Sequence, residues 1–182
     1  MSPTSPKILV LFAHPAIHKS KVNRALAQEA VEINGLTFHD LYENYPDFVI
    51  DVRKEQMLLE AHDIIVFQHP FYWYSTPAII KEWLDLVLEY GWAYGPGGEK
   101  LESKKWVHAI STGGPEKAYS KDGYNRFTIR ELMAPLEQSA NLCGMEFLDP
   151  FVVHQALKYQ TDQDFREIRK RYRSFLEGLA GR

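Results

Sequence analysis

Residues Lys7–Asn23 read KILVLFAHPAIHKSKVN, and the fold turns on this stretch. Ile8–Ala13 is apolar without alternation, the pattern of a short strand covered on both faces. His14-Pro15 ends the run, because proline cannot continue a ladder. From Ser20 the spacing changes. Val22, Leu26, Ala30 and Ile33 fall on one face of a helix, and Asn34-Gly35 supplies its stop. A doubly covered strand that feeds a helix is the opening unit of a parallel α/β sheet.

Working outward, the same grammar repeats. Leu36–Leu41 reads as a second strand, Tyr42–Ile50 as a loop and Arg53–Ala61 as a short helix. Asp63–Gln68 (DIIVFQ) is a third buried strand. Thr76-Pro77 pairs an N-cap with a proline at the first helical position, and Ile80, Trp83, Leu84 and Val87 carry the apolar face to about Tyr90. Tyr90–Gly98 is a glycine-rich loop. Trp106–Ser111 is the fourth strand, a single helix covers Phe127–Leu142 with Gly144 beyond its end, and a fifth strand lies within Met145–His154. Thr161 and Asp164 open a last helix striped with Phe165, Ile168, Tyr172 and Phe175. These units predict one domain over residues 1–182, a doubly wound five-stranded parallel sheet in the flavodoxin-like order 2-1-3-4-5.

Length and composition narrow the function classes. A chain of 182 residues buries roughly 70% of its unfolded surface and needs no disulfide or metal to hold a core. Lys and Arg number 21 against 24 Asp and Glu, a balance that argues against a nucleic-acid binder. The single cysteine, Cys143, can form neither an internal disulfide nor a multi-cysteine zinc site, and its apolar neighbours make it an inert core thiol. Met1–Pro6 is short and polar, and Ile8–Ala13 is too short for a signal-peptide core, so a reducing cytoplasm is expected. His14 and His18 stand four apart, but Pro15 and the loop between them remove helical geometry, and no metal is expected.

In sheets of this order ligands gather beyond the carboxyl ends of the strands. Three loops there carry chemistry. His14–Asn23 ends in a helix start where Ser20, Lys21, Val22 and Asn23 offer backbone N–H groups and a positive dipole end to an anion, with Lys19 and Lys21 adding charge. An ordinary capped helix gives the same pattern, and GxGxxG and GxxxxGK[ST] are both missing. Pro70–Pro77 holds four consecutive aromatics, Phe71, Tyr72, Trp73 and Tyr74, suited either to walling a flat heterocycle or to a packing or subunit contact. Ser111, Thr112, Gly113 and Gly114 follow the fourth strand, and paired glycines permit positive φ and close backbone approach. A phosphate end, a planar wall and a close backbone edge together fit a flavin mononucleotide.

The combination resembles the flavodoxin-like NAD(P)H:quinone oxidoreductases, and within them the ancillary proteins of bacterial glutathione-regulated potassium-efflux systems. The matching pieces are Ala13-His14-Pro15, Ser20 with Asn23, Asp40-Leu41-Tyr42, Tyr45-Pro46-Asp47-Phe48, Glu55-Gln56, Phe67-Gln68-His69-Pro70, Trp73-Tyr74-Ser75, Trp83 and Thr112-Gly113-Gly114. The resemblance implies a bound FMN reduced by NADH or NADPH and reoxidised by a quinone in two-electron, ping-pong turnover. It implies that His14 and Ser20–Asn23 hold the phosphate and ribityl chain, that Phe71–Tyr74 line the ring, and that Ser111–Gly114 meet its polar edge. The larger animal relatives use FAD and carry a C-terminal extension, so FMN is the expectation here. Tyr119 is the catalytic candidate. The partner histidine that better-studied relatives carry a few residues on is replaced by Tyr124 and Asn125. Resemblance also implies a homodimer that would use Trp92 and Tyr94. The alternative function is a regulatory ancillary subunit on a membrane potassium-efflux antiporter, held peripherally at the inner face of the membrane.

Overall fold

The computed structural model describes residues 5–181. Met1–Thr4, part of the stretch read for targeting signals, lie outside the described residues. The central strands are β1 (Ile8–Phe12), β3 (Ile64–Pro70) and β4 (Lys105–Ser111), and nearly every residue in them is buried. With β2 (Leu36–Asp40), β5 (Glu146–Phe147) and β6 (Phe151–Val153) they form a parallel sheet in the order β2-β1-β3-β4-β5, with β6 also on β4. The order matches the sequence reading. The strand count does not. The fifth strand is two pieces: Phe147 faces Trp106 and Phe151 faces Ala109, so four steps on one side match three on the other. Asp149-Pro150 takes up the extra residue, since Pro150 has no N–H for the ladder.

Alternation along each strand feeds two cores. Leu9, Leu11, Ile65, Phe67, Trp106 and Ile110 point to one face, where α3 (Val52–Glu60), α4 (Ala78–Val87) and α6 (Ala134–Leu142) cover them. Ile8, Val10, Ile64, Val66, Val107 and Ala109 point to the other, under α1 (Lys21–Val31) and α7 (Asp162–Leu179). Both faces are dry, which is why β1, β3 and β4 read as continuous apolar runs. Tyr172 Oη donates to Gln68 Oε1 at 2.9 Å, and Gln68 Nε2 donates to the Asn23 carbonyl at 3.3 Å, tying α7 through β3 to the first turn of α1.

Three local expectations need correction. Within the stretch read as a loop, Leu41–Asn44 forms a helical turn, α2, because the Asp40 carboxylate accepts from the N–H groups of Tyr42 and Glu43. The single helix over 127–142 is two: α5 (Ile129–Leu132) ends at Met133 before α6 begins, since Pro135 lacks the N–H that would bond back to Glu131. Pro77, not Thr76, is the residue before α4, and no side chain caps that helix. Among the described residues no helix is long and apolar enough to cross a membrane.

Candidate functional site

β1 delivers His14 and the start of α1 to the carboxyl edge of the sheet. Ser20 is the N-cap, and its Oγ accepts from the Asn23 N–H at 3.2 Å and from Asn23 Nδ2 at 3.0 Å. Both acceptor positions are used, so the hydroxyl hydrogen is left to donate outward. Asn23 Nδ2 also donates to Ser111 Oγ at 2.9 Å, tying the start of α1 to the end of β4. That leaves Asn23 Oδ1 buried with no hydrogen-bond partner, an acceptor that calls for a hydroxyl or amide donor. His14 Nδ1 accepts from the Ala16 N–H at 3.1 Å, so the ring proton sits on Nε2. Burial lowers its pKa, and it stands as a neutral donor.

β3 delivers the aromatic segment. The Phe71 N–H donates to the Ser111 carbonyl at 2.8 Å, and the chain then reverses in a tight turn closed by Ser75 N–H to the Tyr72 carbonyl at 3.0 Å. The two central residues are left-handed, Trp73 at φ 49 and Tyr74 at φ 64. Left-handed backbone costs an L-residue roughly 1–2 kcal/mol, so the turn is held against local preference. Its result is display: Trp73 is 92% exposed, while Phe71 is buried.

β4 delivers the third loop, with a difference from expectation. Neither Gly113 nor Gly114 has positive φ. Their use is absence of bulk. A Cβ on Gly113 would meet nothing within 4 Å, whereas one on Gly114 would sit 3.4 Å from the Tyr119 ring. Thr112 Oγ1 donates to the Gly114 carbonyl at 3.0 Å and so accepts from His154 Nδ1 at 3.1 Å. The His154 and Tyr119 rings lie 5.6 Å apart. Burial lowers the His154 pKa, which keeps the ring neutral with Nε2 free to accept.

These pieces bound two cavities. One, of about 410 Å³, is lined by His14, Ser20, Lys21, Val22, Asn23, Tyr72, Ser111 and Thr112. The other, of about 670 Å³, is lined by Trp73, Tyr74, Gly114, Tyr119, Tyr124 and Asn125. Phe71 and Gly113 belong to both walls. The candidate cofactor and catalytic residues named from the sequence therefore each line one of two cavities that share wall residues. Sequence reasoning missed His154, which the sheet brings from the end of β6 to Thr112, and Ala156, Leu157, Tyr159 and Gln160, which line the smaller of these two cavities. The rule that ligands gather after every strand end was the available signal for them. Trp92 and Tyr94, read as dimer contacts, are partly buried and pack against the core, and Trp92 Nε1 donates to Glu60. Among the described residues, Trp73, Tyr124, Tyr90 and Phe127 are the most exposed aromatics. Cys143 is buried with its thiol pKa pushed up to about 11, as its apolar setting implied. Among the described residues no group of three metal-ligating side chains converges.

A family model described as Flavodoxin-like fold matches residues 6–176. The chain belongs to that flavodoxin-like family. It is 46% identical over 172 residues to the glutathione-regulated potassium-efflux system ancillary protein KefG of Erwinia tasmaniensis, covering 94% of this chain and 93% of the relative. The same-named protein of Pectobacterium atrosepticum is 51% identical over 157 residues, 86% of each chain. Among solved structures, a general stress protein 14 from Treponema denticola in complex with FMN superposes with TM-score 0.87 at 36% identity, covering 96% of this chain and 98% of the other. An NADPH-quinone reductase from P. pentosaceus gives 0.83 at 31% identity, covering 93% and 96%. A chain described as a thermophilic tryptophan halogenase from Streptomycin violaceusniger gives 0.87 at 46% identity, covering 91% and 96%. The resemblance read from the sequence is borne out. The neighbours' described activities differ, so the chemistry has to come from the site of this flavodoxin-like chain.

Proposed function

We propose that the chain is an FMN-dependent oxidoreductase that passes two electrons from NADH or NADPH to a quinone. The observation that carries this reading is a pair of cavities that share Phe71 and Gly113 as wall residues, one running to the α1 N-terminus with Ser20, Lys21 and Asn23 and the other walled by Trp73, Tyr74, Tyr119 and Tyr124. FMN has the same polarity along its length: an anion, a chain of hydroxyls and a flat ring. The unpartnered Asn23 Oδ1 suits a ribityl hydroxyl, and the open face of Gly113 leaves room for a ring edge. When bound, the flavin supplies hydride acceptance and donation. The chain supplies the rest. The N-terminus of α1, Ser20, Lys21 and the His14 Nε2–H hold the phosphate. Phe71, Tyr72, Trp73 and Tyr74 orient flat molecules against the site. The Gly113 and Gly114 N–H groups and the Tyr119 hydroxyl face negative charge as it develops. His154, neutral and with its ring 5.6 Å from that of Tyr119, would serve as the proton partner of that hydroxyl in this reading, the role for which Asn125 has no titratable group.

Ser20→Ala separates the phosphate contact from general damage. A hydrogen bond to a charged group is worth roughly 1.5–3 kcal/mol, so FMN affinity falls about tenfold or more while riboflavin affinity holds. Calorimetric titration of both ligands checks it. Equal losses would mean that only the helix cap was damaged.

One open aromatic face serves donor and acceptor in turn, so NADPH leaves before quinone enters and double-reciprocal plots with a quinone are parallel. Intersecting lines would contradict the shared face. Tyr119→Phe lowers the rate of flavin reduction on the order of ten- to a hundredfold with little change in FMN affinity, because its interaction strengthens only as charge develops. Stopped-flow reduction by NADPH and an FMN titration measure the two halves. A homodimer covering Trp73 and Tyr124 is part of this proposal.

A second role rests on the relatives' printed name. KefG proteins are described as ancillary to a potassium-efflux system, and a regulatory contact with a membrane antiporter is compatible with the enzyme. Loss of co-purification with the antiporter on deleting this chain's exposed aromatics would support it.

A further inference from the structure

Beneath the aromatic turn lies a buried chain of hydrogen bonds that the flavin site does not use. Trp106 Nε1 lies 2.8 Å from His108 Nε2, His108 Nδ1 lies 2.9 Å from His69 Nε2, and His69 Nδ1 lies 2.9 Å from the Pro70 carbonyl oxygen. All three side chains are fully buried. An indole N–H can only donate, and a carbonyl can only accept. His108 Nε2 must therefore accept, which places its proton on Nδ1. His69 Nε2 must then accept in turn, which places its proton on Nδ1 as well. One pair of tautomers, both neutral, satisfies every contact. Burial lowers both pKa values, that of His69 to about 4, in keeping with neutral rings.

The chain of donors ends on a carbonyl that matters to the site. Pro70 is the last residue of β3, and its oxygen also accepts the Tyr72 N–H at 3.0 Å. That i to i+2 bond is bent and weak, and directly beyond it come the left-handed Trp73 and Tyr74. We propose that His69 is a positioning residue, whose Nδ1–H fixes the Pro70 carbonyl and so holds the Tyr72–Ser75 turn in its displayed form. Trp106 and His108 set the tautomer that allows it. Nothing in this device depends on which ligand the turn meets, so its failure and that of the flavin reading are separable.

Two measurements decide it. In the unaltered protein, nitrogen-15 NMR of the histidine rings at neutral pH should show His69 and His108 both protonated on Nδ1. A proton on Nε2 of either ring overturns the proposal. Second, His69→Leu should be nicked by chymotrypsin after Trp73 or Tyr74 roughly tenfold faster than the wild type, well below its melting temperature. His69→Gln keeps one acceptor and one donor, and should restore the rate to within about twofold. Wild-type nicking in the leucine variant, or no rescue by glutamine, overturns the assignment. Should His69→Leu fail to fold, the ring tautomers alone decide.

Discussion

Gly113→Val yields a folded protein that has lost its flavin. A Cβ at this position meets no protein atom within 4 Å, and the residue is not left-handed, so the substitution displaces nothing and strains nothing. Its branched side chain instead enters the open space at a residue that lines both cavities. Crowding a fitted site typically costs about 1–3 kcal/mol, so FMN affinity drops roughly tenfold or more, while Gly113→Ala loses less. Thermal unfolding of the ligand-free forms should agree closely. Full flavin stoichiometry in the valine variant would remove the ring from this wall. A collapsed melting curve would show that the loop bears structural load it has no visible means of bearing.

The second large effect is on stability. Glu55 is completely buried, and its carboxylate is the common acceptor for Tyr45 Oη at 2.6 Å, Trp83 Nε1 at 2.8 Å and His39 Nε2 at 2.8 Å. These contacts pin α3 to β2, to the Tyr45 turn and to α4. Glu55→Ala strands those donors in a dry site, and the expected loss is about 3–5 kcal/mol, read from urea unfolding at pH 7. A loss below about 1 kcal/mol would mean that the elements hold together without it. Burial alone would raise the Glu55 pKa, but the hydrogen bonds from His39, Tyr45 and Trp83 outweigh it and the net shift is downward. A folded-state pKa below the unfolded one gives stabilisation that is complete above the unfolded value and disappears as pH falls through the folded value. The gap between wild type and Glu55→Gln should therefore narrow as the pH is lowered below about 4.

What the sequence revealed follows from what each residue had to satisfy locally. Ile8–Ala13, Ile64–Gln68 and Trp106–Ser111 are buried on two faces, and a predominantly apolar run meets that demand. Thr161 with Asp164 forms a true capping box because both partners lie within one turn. Pro135 and Pro150 were visible too, but reading them as breaks required knowing which N–H groups the neighbours needed. The left-handed Trp73 and Tyr74 leave no compositional trace, since aromatic residues rarely adopt that conformation. Conversely, Gly113 and Gly114 suggested positive φ and are used for room. His154 was out of reach for a different reason: its partner Thr112 is far off in sequence, and only the pairing of β6 with β4 brings them together.

The central claim is that Phe71 and Gly113 join a phosphate end and a planar end into one flavin site. Titrating the flavin-free protein with FMN under anaerobic conditions, and recording the visible spectrum, tests it most directly. The account predicts saturation at one FMN per chain, bleaching of the flavin bands on addition of NADPH or NADH, and return of colour with a quinone. A protein that refuses FMN, or binds it and is bleached by neither nucleotide, would contradict it.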